Sequence, residues 1–287
     1  MCFILFLLVL DAIFSFSYPW KTTARGENLG LIAFAFGALA LLCLYRRKRK
    51  IGNFARCIAI VAAAAFVVQA VLMSMLYAYA RGDAGTVSEF ARRLVYGEDQ
   101  GDYLAYFSSY RNNLFLAECE AAVIWACRLL HIGNWRLVLI LLGCAAASGS
   151  GVLFAFTARR VCKSDAVALL FYGIFIGYVV LSPRNTVPYS DVYGMIFPIA
   201  ALFLLSLPLS GGRRFGANAG AGALAMIGAA LKPTAAIVLI AALLVGAVRL
   251  CSAENRKERA ISLGCLVGGA LAGYLLTAAL LLLLFPG

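Results

Sequence analysis

The chain has 287 residues, of which 63% are hydrophobic and 13% are charged, and its formal net charge is +12. A soluble domain contains about 45–50% apolar and about 25% charged residues, so this composition excludes a water-soluble globule, a disordered chain and a disulfide-rich secreted mini-protein. The mean hydropathy of +0.91 predicts a polytopic helical membrane protein in contact with the lipid bilayer. Basic residues of such proteins collect in cytoplasmic loops, which explains the charge without a nucleic-acid partner.

Candidate membrane spans are apolar runs of about 17–25 residues. In chain order, the sequence contains nine such runs: 2–18, 29–45, 57–80, 137–158, 166–182, 192–209, 217–231, 234–250 and 261–285. The first run has no basic segment before it and no small-residue cleavage site after it, so we expect a membrane helix rather than a removed signal peptide. Its Asp11 is expected to face protein or water, because a carboxylate is costly in lipid.

One further apolar run, 114–130, is ambiguous because it contains Glu118, Glu120 and Arg128. A charge at a helix centre costs about 2.5–3.5 kcal/mol in the membrane, which argues against a span. If this run does not cross, most basic residues of the chain lie on one side, in the loops 46–56, 159–163, 213–214 and 249–259. The positive-inside rule therefore favours nine spans, with the N-terminus in the cytoplasm and the C-terminus outside.

This topology leaves one long exterior segment, 81–136, which is too long to be a simple connector. Thr86 and Glu89 fit a capping box, and the apolar residues that follow recur at helical spacing, which predicts an amphipathic helix. The run 114–130 is predicted to be a second interfacial helix. We therefore expect an all-α polytopic transmembrane bundle, forming a single membrane-embedded domain over 1–287, with two juxtamembrane helices in the first large exterior loop.

Two groups of polar residues fall within this exterior segment. Asp83 follows Gly82 directly after a span, where it suits a general base for a membrane-embedded substrate, or is only a solvated flank of the amphipathic helix. Aromatic and amide side chains in 97–113 suit a polyhydroxylated ligand, or form an interfacial aromatic belt. The candidates in this second group are Tyr106, Tyr110, Arg111, Asn112 and Asn113.

Two more polar groups flank later spans. Arg184, Tyr189 and Asp191 lie in a short exterior loop, where an arginine fork suits phosphate, or merely touches lipid headgroups. Lys232 precedes Pro233 between two apolar runs; it suits a phosphate ligand, or snorkels at a re-entrant turn.

Cysteine and histidine spacing gives no sign of a metal centre. The nine cysteines form no CxxC pair and the single histidine offers no zinc spacing, so we predict no metal ligands and interpret the cysteines as packing residues. No cofactor is identified by any motif.

Three segments resemble a known family, in the same order and spacing. They are GDAGTVSEFARRLVYG with YLAYFSSYRNNLFLA, then VPYSDVYGMIFPIAALFL, then GALAMIGAALKPTAAIVLIAALLV. Over about residues 57–250, the chain resembles bacterial GT-C membrane glycosyltransferases of the protein O-mannosyltransferase and lipid A aminoarabinose-transferase type. The similar subgroup has a Y-F-x-R-Y-P-N-N signature. This chain departs from it at two positions, with Ser109 in place of the family's arginine and Arg111 in place of its proline.

The resemblance implies transfer of a sugar from an isoprenoid-phosphate donor to a glycan, lipid or protein acceptor outside the bacterial cytoplasmic membrane. It implies that Asp83 is the catalytic acid of the exterior loop. On this hypothesis Lys232 and Arg184 stabilise the departing phosphate, and Asp191 orients a cation or a sugar hydroxyl. The tyrosines and asparagines of the aromatic group then shape the pocket: Tyr106, Tyr110, Asn112 and Asn113.

Two alternatives stay open at this point. A transporter or lipid-carrier flippase fits the broken segment at Lys232 and the intramembrane Asp11, because transporters bind at discontinuous helices. The chain also has fewer spans than most members of the similar family, so we expect the C-terminal part of the family fold to be absent. A truncated, non-catalytic subunit is therefore the second alternative.

Overall fold

The computed structural model describes residues 53–76, 82–251 and 255–284, and these residues form helices and turns without a β-strand. The predicted spans at 2–18 and 29–45 lie outside the described residues, together with Asp11 and most of the basic loop 46–56. The structure describes the backbone of Arg184 but not its side chain. The predicted all-α class is confirmed.

Eleven α-helices follow one another in the described part of the chain. They are α1 (Phe54–Leu76), α2 (Gly82–Tyr96), α3 (Tyr103–Ser109), α4 (Leu114–Leu129), α5 (Trp135–Cys162), α6 (Asp165–Phe175), α7 (Ser190–Gly194), α8 (Ile196–Leu205), α9 (Gly211–Leu231), α10 (Ala236–Cys251) and α11 (Arg256–Leu284). Short 3₁₀ or π turns lie between some of them, at Arg111–Asn113, Ile176–Val180, Pro183–Thr186 and Pro233–Ala235.

Several helices are apolar enough to cross a bilayer. Within the described residues, four meet both the length and the composition of a span: Phe54–Leu76, Trp135–Cys162, Pro233–Cys251 and Arg256–Leu282. Two shorter apolar helices, Asp165–Val180 and Ser190–Leu205, correspond to the predicted spans at 166–182 and 192–209. The multi-pass character is therefore confirmed, whereas the total of nine spans stays a prediction.

The predicted amphipathic helix is present as α2, but its predicted start at a capping box is wrong. The helix begins at Gly82, whose φ of 60° is a conformation that glycine adopts without strain. Thr86 consequently lies inside the helix, where its Oγ1 donates a hydrogen bond to the Gly82 carbonyl oxygen at 3.1 Å. The earlier start brings Asp83 into the first turn of α2.

The two helices of the predicted exterior segment, α2 and α4, pack against each other. Val87 and Phe90 of α2 are fully buried in a cluster with Leu116 of α4. At the far end, the Arg128 guanidinium donates a hydrogen bond to the carbonyl oxygen of Val95 at 2.7 Å. This pairing makes the predicted exterior segment a packed helical layer rather than a loose loop.

Small residues bring α9 and α11 into close contact. A β-carbon added to Gly222 of α9 or to Gly269 of α11 would overlap backbone atoms of the facing helix. Asn218 strengthens the pairing, because its Nδ2 donates to Ser262 Oγ at 2.7 Å. Small residues and interhelical hydrogen bonds are what hold helices together in lipid, where apolar burial alone gives little preference. The C-terminus of α9, which carries Lys232, is thereby fixed.

Basic residues from three predicted loops meet at one end of the bundle. Arg214 pairs with Glu258 at 3.5 Å, and Arg259 donates to the carbonyl oxygen of Arg249 at 3.4 Å. The Arg160 guanidinium, near the end of α5, donates a hydrogen bond of 3.4 Å to the hydroxyl of Ser206, which follows α8. Val161, Arg214, Arg249 and Arg259 also line one cavity, so the predicted loops 159–163, 213–214 and 249–259 lie near one another, while their side of the membrane stays a prediction.

Candidate functional site

Side chains from four separate segments meet beside the first turn of α2. Asp83 lies in that turn, Tyr106 belongs to α3, Asn113 ends the 3₁₀ turn before α4, and Tyr189 precedes α7. Tyr106 lies near both Asp83 and Tyr189, and the Asp83 carboxylate adds to the rise that burial causes in the pKa of the Tyr106 phenol. Residues predicted separately from three stretches of sequence thus form one group.

Asn113 organises the two phenols of this group. Its side chain is only 3% exposed, and its Nδ2 donates to the Tyr106 hydroxyl at 2.7 Å. The same side chain lies near Tyr189, where it opposes the rise that burial causes in the pKa of that phenol, and its Oδ1 accepts from Asn112 Nδ2 at 3.0 Å. Asn113, predicted as a substrate ligand, is therefore engaged mainly with protein groups and positions the tyrosines.

Both tyrosines are held as hydroxyl donors. Burial raises the pKa of Tyr106 to about 12, against an opposing effect of the Asn113 hydrogen bond and with a further rise from the Asp83 carboxylate. Burial also raises the pKa of Tyr189, and the charge of Asp83 adds to that rise. Protonated phenols beside a carboxylate can donate hydrogen bonds to sugar hydroxyls or to phosphate oxygens.

An aromatic surface lies next to the same group. Tyr110 stacks on Tyr106 with ring centroids 4.9 Å apart and an interplanar angle of 30°, and half of Tyr110 is exposed. Beneath it, Phe107 packs at 4.4 Å from the Phe90 ring of α2 and anchors the short α3. The open side of Tyr110 therefore offers a flat apolar face beside hydrogen-bonding groups, a combination that suits a sugar ring.

Lys232 and Asp191 form an ion pair between α9 and α7. The α9 helix ends at Leu231, and Lys232 follows it in an extended conformation, with φ −147° and ψ 112°. Pro233 then opens a 3₁₀ turn that leads into α10, so the predicted helix break is confirmed. Asp191 lies in the first turn of α7 with 58% of its side chain exposed, which leaves the pair open to a ligand.

The segment before α7 links the ion pair to the tyrosine group. Tyr189 contributes to the group around Asp83, and Asp191, two residues later, contributes to the pair with Lys232. We name these five residues the acid–tyrosine–lysine site: Asp83, Tyr106, Tyr189, Asp191 and Lys232. It combines a carboxylate, two phenols and an ammonium group, which is a set suited to proton transfer and to binding an anionic, hydroxylated ligand.

Two predicted ligands are not brought into this site by any described contact. Arg111 is exposed on the 3₁₀ turn, and among the described residues no hydrogen bond or ion pair joins it to Asp83 or Lys232. The side chain of Arg184 is not described, but its neighbour Asn185 is buried and donates to the carbonyl oxygens of Val179 and Val180, at 2.7 and 2.9 Å. That loop therefore helps to end the π turn after α6.

Two buried carboxyl groups on α4 were missed as candidates. Glu118 and Glu120 are 2% and 1% exposed, although α4, with 16 residues, does not reach the length of a span. Ser88 of α2 donates to Glu120 Oε2 at 2.6 Å. The other three carboxylate oxygens of the two residues have no hydrogen-bond partner in the described part of the chain.

Burial has a direct electrostatic consequence for these two groups. It raises the pKa of Glu118 to about 7 and that of Glu120 to about 8, against a smaller opposing effect of the Ser88 hydrogen bond on Glu120. The signal available from sequence was the presence of acids inside an apolar run, which predicted only that the run does not cross the membrane.

The described side chains give no sign of a metal centre: across 53–76, 82–251 and 255–284, no three His, Cys, Asp or Glu residues are placed to share an ion.

Comparison with known proteins gives a family but no activity. A family model described as "conserved hypothetical integral membrane protein" matches residues 22–281. No curated protein matches the chain, and no solved structure matches it. The family match covers the acid–tyrosine–lysine site and all the described helices up to the last residues of α11.

Proposed function

We propose that this chain, which belongs to the family of conserved hypothetical integral membrane proteins, is a membrane glycosyltransferase. The proposed reaction moves a sugar from a polyprenyl-phosphate donor to an acceptor hydroxyl at the exterior face of the bacterial cytoplasmic membrane, with the N-terminus in the cytoplasm. The observation that carries the proposal is the meeting of Asp83, Tyr106 and Tyr189 beside the Lys232–Asp191 pair. Sugar transfer from a lipid-linked phosphate needs a base for the acceptor hydroxyl and a cation for the departing phosphate, both at the membrane boundary.

Asp83 is the proposed general base. Its carboxylate takes the proton of the acceptor hydroxyl while the acceptor oxygen forms a bond to the anomeric carbon. The bond from that carbon to the phosphate oxygen breaks at the same time, and the electron pair leaves with the phosphate. A single displacement of this kind inverts the anomeric configuration. The position of Asp83 at an exposed helix start supports the role, because an acceptor can reach it from water.

Lys232 is the proposed partner of the departing phosphate. Positive charge placed where negative charge develops lowers the barrier to such a step. In the structure the ammonium group contacts Asp191, whose largely exposed carboxylate can move aside when a phosphate binds. Tyr106 and Tyr189 supply protonated hydroxyls to the same ligand, and the exposed face of Tyr110 supports its sugar ring.

The test is sugar transfer by membranes that contain the Asp83→Asn variant and receive a labelled polyprenyl-phosphate sugar. A lost general base lowers the rate by about 10²–10⁴-fold, so a fall of at least about 100-fold is expected. Asp102→Asn is the matched control, because Asp102 is an exposed acid just before α3 whose side chain makes no capping hydrogen bond; only its backbone carbonyl oxygen, which the substitution keeps, accepts from the Tyr106 N–H. Undiminished transfer by a correctly inserted Asp83 variant would remove this residue from the catalytic role.

A carrier-lipid transporter or flippase is the second candidate. The break between α9 and α10 at Lys232 supports it, because transporters often bind substrates where helices are interrupted. Purified protein in proteoliposomes separates the two activities. Movement of labelled carrier lipid between leaflets, without transfer of its sugar, would favour the transporter. Neither activity in well-folded protein would favour a non-catalytic subunit.

A further inference from the structure

A cavity lies at the opposite end of α9 from Lys232. It has a volume of about 380 Å³ and is lined by residues of α5, α8, α9, α10 and α11 and of the segment that follows α8. Arg214 lines it near the start of α9, and at 1.5 Å per residue this places Arg214 about 27 Å along the helix from Lys232. Because the hydrocarbon core of a bilayer is about 30 Å thick, α9 is long enough to hold the cavity and the acid–tyrosine–lysine site at opposite membrane boundaries.

The cavity combines a basic rim with apolar walls. Arginines from three helices line it, namely Arg214 of α9, Arg249 of α10 and Arg259 of α11. The polar groups of Asn218 and Ser262 also contribute to the lining. Deeper walls come from aliphatic residues of the same helices and of α8, including Leu202, Leu205, Val238, Leu263 and Leu266. An occupant that matches both parts has an anionic group joined to an apolar chain.

Positive charge at the rim exceeds negative charge. Arg214 contacts Glu258 at 3.5 Å, which is a long ion pair. Arg259 donates to a backbone carbonyl of Arg249 at 3.4 Å, and among the described residues neither Arg249 nor Arg259 has a carboxylate partner. Guanidinium groups of this kind bind phosphate through two parallel hydrogen bonds.

One wall of the cavity is formed by α10, through residues that include Val238, Ala241 and Val245. Val245 is 50% exposed, and other apolar residues of this helix are also largely exposed, with Ile237 at 65%, Leu244 at 63% and Val248 at 67%. An acyl chain whose headgroup is held at the rim can therefore pass along α10 into the bilayer. Basic pockets between membrane helices near one face are typical binding places for anionic lipid headgroups.

We propose that this cavity binds one anionic phospholipid, with its phosphate on Arg214, Arg249 and Arg259 and an acyl chain against α10. The site is separate from the proposed glycosyltransferase centre and does not depend on that activity. The volume of about 380 Å³ accommodates a headgroup with the first part of one chain, and small-molecule sites span about 300–1,000 Å³.

The test counts dioleoyl phosphatidylglycerol molecules that stay bound to the detergent-solubilised full chain in native mass spectrometry. Each arginine near the headgroup contributes about fivefold in affinity, so the Arg249→Gln/Arg259→Gln variant is expected to bind roughly twentyfold more weakly. The matched control is Arg213→Gln/Arg256→Gln, which removes the same charge from neighbouring positions that do not line the cavity. An equal loss in both variants would mean diffuse surface charge and would overturn the proposal.

A second variant keeps all three arginines and fills the cavity. Ala241 is exposed and lines it, so Ala241→Trp is expected to displace the lipid while the protein stays monodisperse with an unchanged melting temperature. Full retention of the lipid by a folded Ala241→Trp protein would contradict the assignment. Competition by inorganic phosphate separates a lipid site from a phosphate site: displacement of the lipid by millimolar phosphate would also contradict it.

Discussion

Replacing Glu120 by glutamine is expected to make the stability of this protein less sensitive to alkaline pH. Glu120 is 1% exposed, and Ser88 supplies its one hydrogen bond among the described residues. Burial raises its pKa from an ordinary value of 4.5 to about 8. The folded protein therefore binds a proton here that the unfolded chain releases, and this contribution to stability is full below about pH 4.5 and is lost as pH rises through about 8.

The size of the effect follows from the two pKa values of each buried acid. Between about pH 6 and about pH 9, a carboxyl group with a folded pKa of about 8 loses about 3 kcal/mol of stabilisation. Glu118, with a folded pKa of about 7, loses about 1 kcal/mol over the same interval. The Glu120→Gln variant keeps a hydrogen-bonding side chain of the same shape and removes only the larger of these two contributions.

Thermal unfolding of the detergent-solubilised protein measures the difference. At about 2–4 °C per kcal/mol, the fall in melting temperature from about pH 6 to about pH 9 should be roughly 5–10 °C smaller in Glu120→Gln than in the wild-type protein. Asp102→Asn, which changes an exposed acid, should follow the wild type. Parallel curves for the wild type and Glu120→Gln would refute the raised pKa and with it the burial of a protonatable group between α2 and α4.

Three other substitutions test separate parts of the structure. Gly269→Ala should destabilise the protein by about 1–3 kcal/mol, because the added methyl group overlaps the backbone of α9. The control Gly268→Ala should not, because its methyl group meets nothing within 4 Å, and equal melting temperatures of the two variants would contradict the close helix contact. Arg92→Ala removes hydrogen bonds to the carboxylates of Glu89, within α2, and of Glu98, just after α2. The variant should speed proteolysis within 97–102, measured by limited digestion. Lys232→Gln should lower sugar transfer by about 100-fold, and an unchanged rate would argue against a phosphate at this position.

Several features of the protein follow from sequence patterns that act locally. The spacing of Val87 and Phe90 predicts the buried side of α2, and both residues are buried there. Pro233 predicts the end of α9, because proline has no backbone N–H and its ring excludes the preceding turn. Capping is less certain from sequence: Thr86 has the right neighbours for an N-cap, yet Gly82 starts the helix earlier because its positive φ lets the chain turn there.

Sequence also supplied candidate site residues, but not how they would be paired. Lys232 and Asp191 were separate candidates for binding phosphate and sugar, and only the packing of α7 on the end of α9 makes them an ion pair. Asn113 was a candidate ligand, and only the fold directs its amide to Tyr106. The Lys232–Asp191 pair joins residues 41 positions apart, and the Asn113–Tyr106 bond spans the break between α3 and the following 3₁₀ turn, so neither pairing follows from a regular helical spacing.

The hydropathy of the sequence was sufficient to predict a multi-pass helical membrane protein, because apolar runs of span length act locally along the chain, and the sidedness of its basic loops stays a prediction. The tertiary structure alone decided that Glu118 and Glu120 are buried with almost no hydrogen bonds, and that Asp83 lies beside two tyrosines. It also decided that three arginines surround an apolar cavity. Burial and the distance between charges depend on which helices pack together, and they set the protonation and the ligand preference of each site.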